Sequence, residues 1–101
     1  MIVYNITTKV HQRIHTEWLT WLQEIHNPEI LKTGCFASIT ILRLLEGDDE
    51  EGPTYAVQYY AESKALYNRY IEQFGAKMRQ QAFDKWGNQF ISFRSLMQVV
   101  N

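Results

Sequence analysis

Three histidines, two strand arginines and a set of tyrosines and tryptophans are the residues of this 101-residue chain that could carry chemistry. His11 and His15 have the four-residue spacing at which two imidazoles on one helix face can hold zinc. No Glu-bearing H-E-x-x-H pattern and no third ligand follows, and His11 falls ahead of the helix, so no metal is expected there. His15 and His26 lie three turns apart along one line of the helix, about 16 Å at the usual rise per residue, too far to share an ion. His26 borders the apolar stripe at what reads as a helix C-terminus, where the helix dipole favours the charged imidazole. It is expected either to bond a helix-end carbonyl or to hand on a proton at a pocket rim. Arg43 and Arg94 interrupt otherwise apolar strands; inward-pointing guanidiniums need a carboxylate or an anionic ligand, and Glu46 or an acid on a second subunit would suit Arg43. Tyr4, Tyr55, Tyr59 and Tyr60 with Trp18 and Trp21 make an aromatic set that serves either as core or as the lining of a pocket for a flat aromatic ligand. Cys35 has no basic neighbour in sequence, and no Ser-His-Asp grouping, phosphate loop or dinucleotide fingerprint is present.

The elements that position these residues follow from periodicity. Ile2 to Lys9 is β-rich, with Ile2, Tyr4 and Ile6 on one face and Val3, Asn5 and Thr7 on the other. Ile14, Trp18, Trp21, Leu22 and Ile25 give one apolar stripe and predict a helix over Gln12 to His26. Asn27-Pro28 is expected to stop it, because the residue before proline avoids helical geometry; a short turn through Ile30 and Leu31 then ends at Gly34. Cys35 to Leu45 and Thr54 to Tyr60 alternate as strands. Between them the acidic Glu46 to Pro53 lacks EF-hand spacing and reads as a solvated hairpin tip. Ser63 caps a second helix whose buried stripe is Leu66, Tyr67, Tyr70, Ile71, Phe74 and Met78; Arg69, Glu72, Arg79 and Gln80 face out. Gly75 marks close packing or a bend, and Gln89 to Val100 is the last strand.

Length and composition bound the rest. One domain over residues 1–101 fits the length. Size scaling for 12.0 kDa has roughly 65% of the unfolded surface buried on folding, enough for a core with little margin. A net charge of −1, with ten scattered Lys and Arg, offers nucleic acid no basic patch. A lone cysteine fits a reducing cytoplasm; the start MIVYNITTKV has no signal-peptide pattern, and no apolar run reaches membrane-spanning length. The sequon at Asn5 falls inside a strand and reads as chance.

Strands one, two and four carry apolar residues on both faces. One face covers the helices; the other is too apolar to leave in water, so a second copy is expected to pair with it sheet on sheet. Asn5, Ser38, Thr40, Gln58 and Ser92 would supply hydrogen bonds in that seam or line a cavity.

The β-α-β-β-α-β order resembles the ferredoxin-like fold, an α+β architecture with a four-stranded antiparallel sheet in the order four-one-three-two. Trp18 and Trp21 on the first helix, and His26-Asn27-Pro28 leading to Thr33-Gly34, resemble the dimeric α+β barrel superfamily. YNIT, WLTWLQEIHNPEIL, TGCF, LRLLE, TYAVQYY and FRSL together resemble a bacterial domain-of-unknown-function family, the DUF4286 type, over nearly the whole chain. The superfamily resemblance implies a homodimer that binds a small aromatic ligand between sheet and helices, or a cofactor-independent monooxygenase or isomerase. In the latter, Asn5 would orient the substrate, Trp18 or Trp21 would stack on it, and His26 or Arg43 would handle charge, with Tyr59 in the same aromatic lining. The second helix has no histidine, so haem is not implied and no cofactor is expected. A third expectation is an interaction module read through the acidic EGDDEEG tip.

Overall fold

The apolar alternation of the strands and the helix stripes meet in one core. In the computed structural model, which describes residues 1–101, β1 (Ile2–Val10), β2 (Ser38–Arg43), β3 (Thr54–Ala61) and β4 (Phe90–Gln98) form one antiparallel sheet. Its order, β2-β3-β1-β4, is the four-one-three-two arrangement expected of a ferredoxin-like chain. Register puts Tyr4 opposite Tyr59, Ile6 opposite Val57 and Thr8 opposite Tyr55 on the helix-covered face. The neighbouring pairs Asn5–Gln58 and Thr7–Ala56 lie on the open face. β3 alternates between half-buried and buried along its whole length, as a strand covered on one side must. Burying the aromatic face is the main stabilising term: Tyr4, Trp18, Phe36, Tyr55, Tyr59, Tyr70 and Trp86 all belong to one buried cluster.

The first helix is longer than proline chemistry suggests. A 3₁₀ turn (Gln12–Ile14) leads into α1 (His15–Trp21), a π-helical turn (Leu22–His26) and α2 (Asn27–Lys32) without a break. The expected stop at Asn27-Pro28 does not occur. The Asn27 amide bonds back to the Leu22 carbonyl, five residues earlier, so the ladder has already changed register when the residue without an N–H arrives. The wider turn also resets the helix phase. Ile25, expected in the stripe, is 51% exposed, while His26 takes its place at 9% and Ile30 follows at 2%. The second helix repeats the device: α3 (Lys64–Tyr70), capped by the Ser63 hydroxyl, passes through a π-turn (Ile71–Gly75) into α4 (Ala76–Trp86). Its buried line runs Tyr70, Gly75, Met78 and Trp86, so Gly75 marks a phase change as well as close packing.

Strand two is shorter than its alternation suggests. Gly34, in the left-handed region at φ 76°, turns the chain beneath the sheet. Cys35 and Phe36 therefore enter the core ahead of the strand, and Phe36 packs 4.9 Å from the Tyr70 ring. The acidic connection is exposed from Glu46 to Glu51, as expected of a solvated tip, yet its end is anchored. Val10 donates to the Pro53 carbonyl (3.0 Å) and Gln12 to that of Glu51 (2.9 Å). No helix is long and apolar enough to cross a membrane.

Candidate functional site

The helices cover β2, β3 and β1 more fully than the edge strand β4, most of which is exposed on both faces. The incomplete cover leaves a cavity of about 330 Å³ between the helices and β1/β4. Tyr4, Ile6 and Thr8 from β1 and Phe90, Ser92 and Arg94 from β4 form its floor; Trp18, Trp21, Leu22 and His26 from the first helix and Met78, Arg79 and Ala82 from α4 close it above. Most of this lining is hydrophobic. The first π-turn borders it through Leu22 and His26, and the second lies in the chain between the lining residues Tyr70 and Met78. Such turns are a common way to aim a side chain out of helical register.

His26 is the one histidine in this lining, and it is buried. Its ring stacks on Trp21 with centroids 4.5 Å apart, and its Nδ1 is buried without a hydrogen-bond partner. Burial lowers its pKa from the usual 6.5 to about 4. This corrects the expectation of a helix-end histidine favoured in its charged form. The helix runs on past it, so no C-terminal dipole reaches it, and desolvation by the indole and the sheet dominates. The sign for stability follows from proton uptake. Between pH 6.5 and 4 the unfolded chain binds a proton that the folded chain refuses. His26 therefore costs nothing above about pH 7 and destabilises progressively as the pH falls toward 4. We expect urea unfolding to show a His26-dependent loss of about 2 kcal/mol between pH 7.5 and pH 5. His26→Gln shares every other titrating group, so subtracting its profile from the wild-type profile isolates this term. Superimposable slopes would show that His26 is not desolvated.

Of the other candidates from the sequence, the structure brings Trp18, Trp21 and Tyr59 to the same lining as His26. The Tyr59 hydroxyl donates to Asn27 Oδ1 at 2.8 Å, a buried bond that ties β3 to the first helix. Burial, with Tyr70 and Tyr4 nearby, pushes that hydroxyl well above the ordinary tyrosine range, so it stays a donor. Asn5 and Arg43 do not join them. Asn5 has the opposite parity to Tyr4 on β1, so it lies on the open face, where its Nδ2 donates to Thr7 Oγ1 at 3.0 Å. Arg43, at the end of β2, is about half exposed and pairs with Asp49 at 3.4 Å, where Glu46 was expected. Its guanidinium also lies 5.9 Å over the Tyr55 ring. His11 and His15 take structural roles: His11 Nδ1 accepts from the Arg13 amide at 3.1 Å, and His15 Nε2 meets the Tyr55 hydroxyl at 2.6 Å. No three His, Cys, Asp or Glu side chains are grouped to hold a metal.

Arg79 and Phe90 are lining residues outside the sequence-derived set. Arg79 reads as outward-facing on 3.6-residue periodicity, and the π-turn at Ile71–Gly75 rotates it to the cavity mouth. A family model described as "Domain of unknown function (DUF4286)" matches residues 1–100. The chain belongs to the DUF4286 family. No protein of curated function matches it. Among solved structures, this DUF4286 chain is similar to a dimeric ferredoxin-like protein from an uncultured marine organism, with TM-score 0.71 and 13% identity, covering 99% of this chain and 95% of that one. It is also similar to an ethyl tert-butyl ether d (EthD) family protein from Bacillus halodurans C-125, with TM-score 0.66 and 13% identity, covering 99% of this chain and 100% of that one. At that identity the likeness shows the ferredoxin-like fold and nothing finer.

Proposed function

We propose that the protein is a single ferredoxin-like domain that forms a homodimer and binds a small flat aromatic ligand in the cavity between sheet and helices. One observation carries the ligand reading. A cavity of about 330 Å³ is lined by Trp18, Trp21, Phe90 and His26, and the buried Nδ1 of His26 is satisfied by no protein group. Apolar walls with a few placed polar groups are the usual make-up of small-molecule sites of about this size. The dimer reading is supported by the open sheet face, by the exposed Ile91, Met97 and Leu42 around it, and by the solved neighbour described as dimeric. A cytoplasmic site of action agrees with the lone reduced cysteine, Cys35.

Binding is favoured over catalysis by His26 itself. At a pKa of about 4 it is neutral near pH 7 but a poor proton acceptor, better suited to hydrogen-bonding a ligand than to abstracting a proton. Native mass spectrometry of protein purified gently from cells tests both halves. The expected species is two 12.0 kDa chains plus a small-molecule mass that denaturation removes. A lone chain at micromolar concentration would sink the dimer. A bare mass, together with no thermal shift from any flat aromatic compound in a screen, would sink the ligand.

A further inference from the structure

The charges around the cavity are all of one sign. Arg79 from α4 and Arg94 from β4 are exposed at its mouth, and no Asp or Glu lines it. The one ion pair in the structure is Arg43–Asp49, so neither mouth guanidinium has a carboxylate within 4.0 Å. Arg94 Nη1 makes only a long bond, 3.5 Å, to the Tyr4 hydroxyl. Arg79 is given room by a missing side chain: a Cβ at Gly75 would stand 3.2 Å from Arg79 Nη1. Both guanidiniums belong to the lining of this one cavity, Arg79 from α4 and Arg94 from β4. In a chain with eleven acids and ten Lys and Arg, two unpaired cations lining an apolar hole are an anion-shaped feature.

Resting on the cavity reading above, we propose that the ligand is an aromatic carboxylate. Its ring lies against Trp18, Trp21 and Phe90, and its carboxylate sits at the mouth between Arg79 and Arg94. The two ends of the site match the two ends of such a molecule. The dry interior, where His26 stays neutral, rejects charge, and the wet rim supplies two guanidiniums without competing acids. The partly solvated rim lets the carboxylate keep part of its hydration, so its attraction to the arginines is not cancelled by burial.

Calorimetric titration at pH 7.5 with 2-naphthoate and with its neutral analogue 2-naphthalenemethanol tests this, on the wild type and on the Arg79→Gln/Arg94→Gln variant. Both arginines are exposed, so the variant is expected to fold, and its circular dichroism and thermal midpoint check that. The expected result is 2-naphthoate binding about tenfold or more tighter than the alcohol to the wild type, with the two probes within about twofold of each other in the variant. Equal binding of both probes to the wild type would overturn the carboxylate assignment while leaving the aromatic cavity standing. A preference for naphthoate that survives in the variant would overturn the role of the two arginines. Binding of neither probe would take down the cavity reading and this inference with it.

Discussion

In the homodimer proposed above, Ala56→Arg is expected to shift the protein from dimer to monomer at micromolar concentration. Ala56 lies near the middle of the open face, between Thr7 on β1 and Leu42 on β2. It is half-buried in the single chain, and its side chain points away from the helices. In an isolated subunit the new guanidinium therefore reaches into water and perturbs little. In two sheets packed face to face, roughly 10 Å apart, it has no such exit. The symmetric contact buries the substitution twice, and each unpaired charge costs about 3–5 kcal/mol. Even one such term raises the dissociation constant by about a hundredfold, and two by well over a thousandfold. The thermal midpoint at low concentration, where both proteins are monomeric, should stay close to the wild type. Light scattering across a dilution series reads the difference. A variant as dimeric as the wild type would move the interface off this face.

The face in question is not uniformly greasy, and this tempers how such a dimer would hold. Its middle row is polar: Thr40, Gln58, Asn5 and Ser95 are neighbours across the four strands. Tyr60 donates to Gln58 Oε1 at 2.7 Å and Asn5 to Thr7 Oγ1 at 3.0 Å, so much of this row is already satisfied within one chain. The apolar residues lie toward the rims, on β2 at Leu42 and on β4 at Ile91 and Met97. Two copies would then meet through apolar margins around a hydrogen-bonded centre, an arrangement that tolerates trapped water better than it tolerates a new charge.

The sequence carried the strands and the sheet order because those depend on alternation and on the β-α-β-β-α-β succession, both of which survive local irregularity. Tyr55, Val57 and Tyr59 are buried where the parity of β3 puts them. The site was legible only in part, and the reason lies in the two π-turns. A period of 3.6 assigns Ile25 to the core and Arg79 to solvent. One extra residue in a turn moves His26 inward and swings Arg79 to the cavity mouth. Nothing in the composition of Leu22–His26 marks it in advance. Pro28 was the available sign, read as a stop when the helix instead accommodates it by a change of register. Asn5 failed for a different cause. A role carried over from a related fold was given to a residue whose parity, visible in the same strand pattern, sends it to the other face.

Gly52→Ala will cost about 3 kcal/mol of stability, far more than its place in an acidic loop suggests. Gly52 has φ +148°, and a Cβ there would fall on the Val10 carbonyl oxygen, 2.8 Å from the Gln12 nitrogen and 2.9 Å from the Val10 carbonyl carbon. All three are backbone atoms at the junction of β1 and the first helix, so no flexible side chain can give way. Relief requires the strap to lift, and with it go the bonds from Val10 to Pro53 and from Gln12 to Glu51 around the fully buried Val10. Gly47 is the internal control: it also has positive φ, +110°, but its Cβ would meet only Leu44 Cδ2 at 3.9 Å. Gly47→Ala should therefore show backbone strain alone, about 1–2 kcal/mol. Urea unfolding at neutral pH separates the two, and equal small losses would mean that the strap is not needed. The consequence reaches the cavity. Val10 pairs with Phe90, which forms part of its floor, so loosening the strap at Gly52 should weaken binding of an aromatic ligand more than Gly47→Ala does.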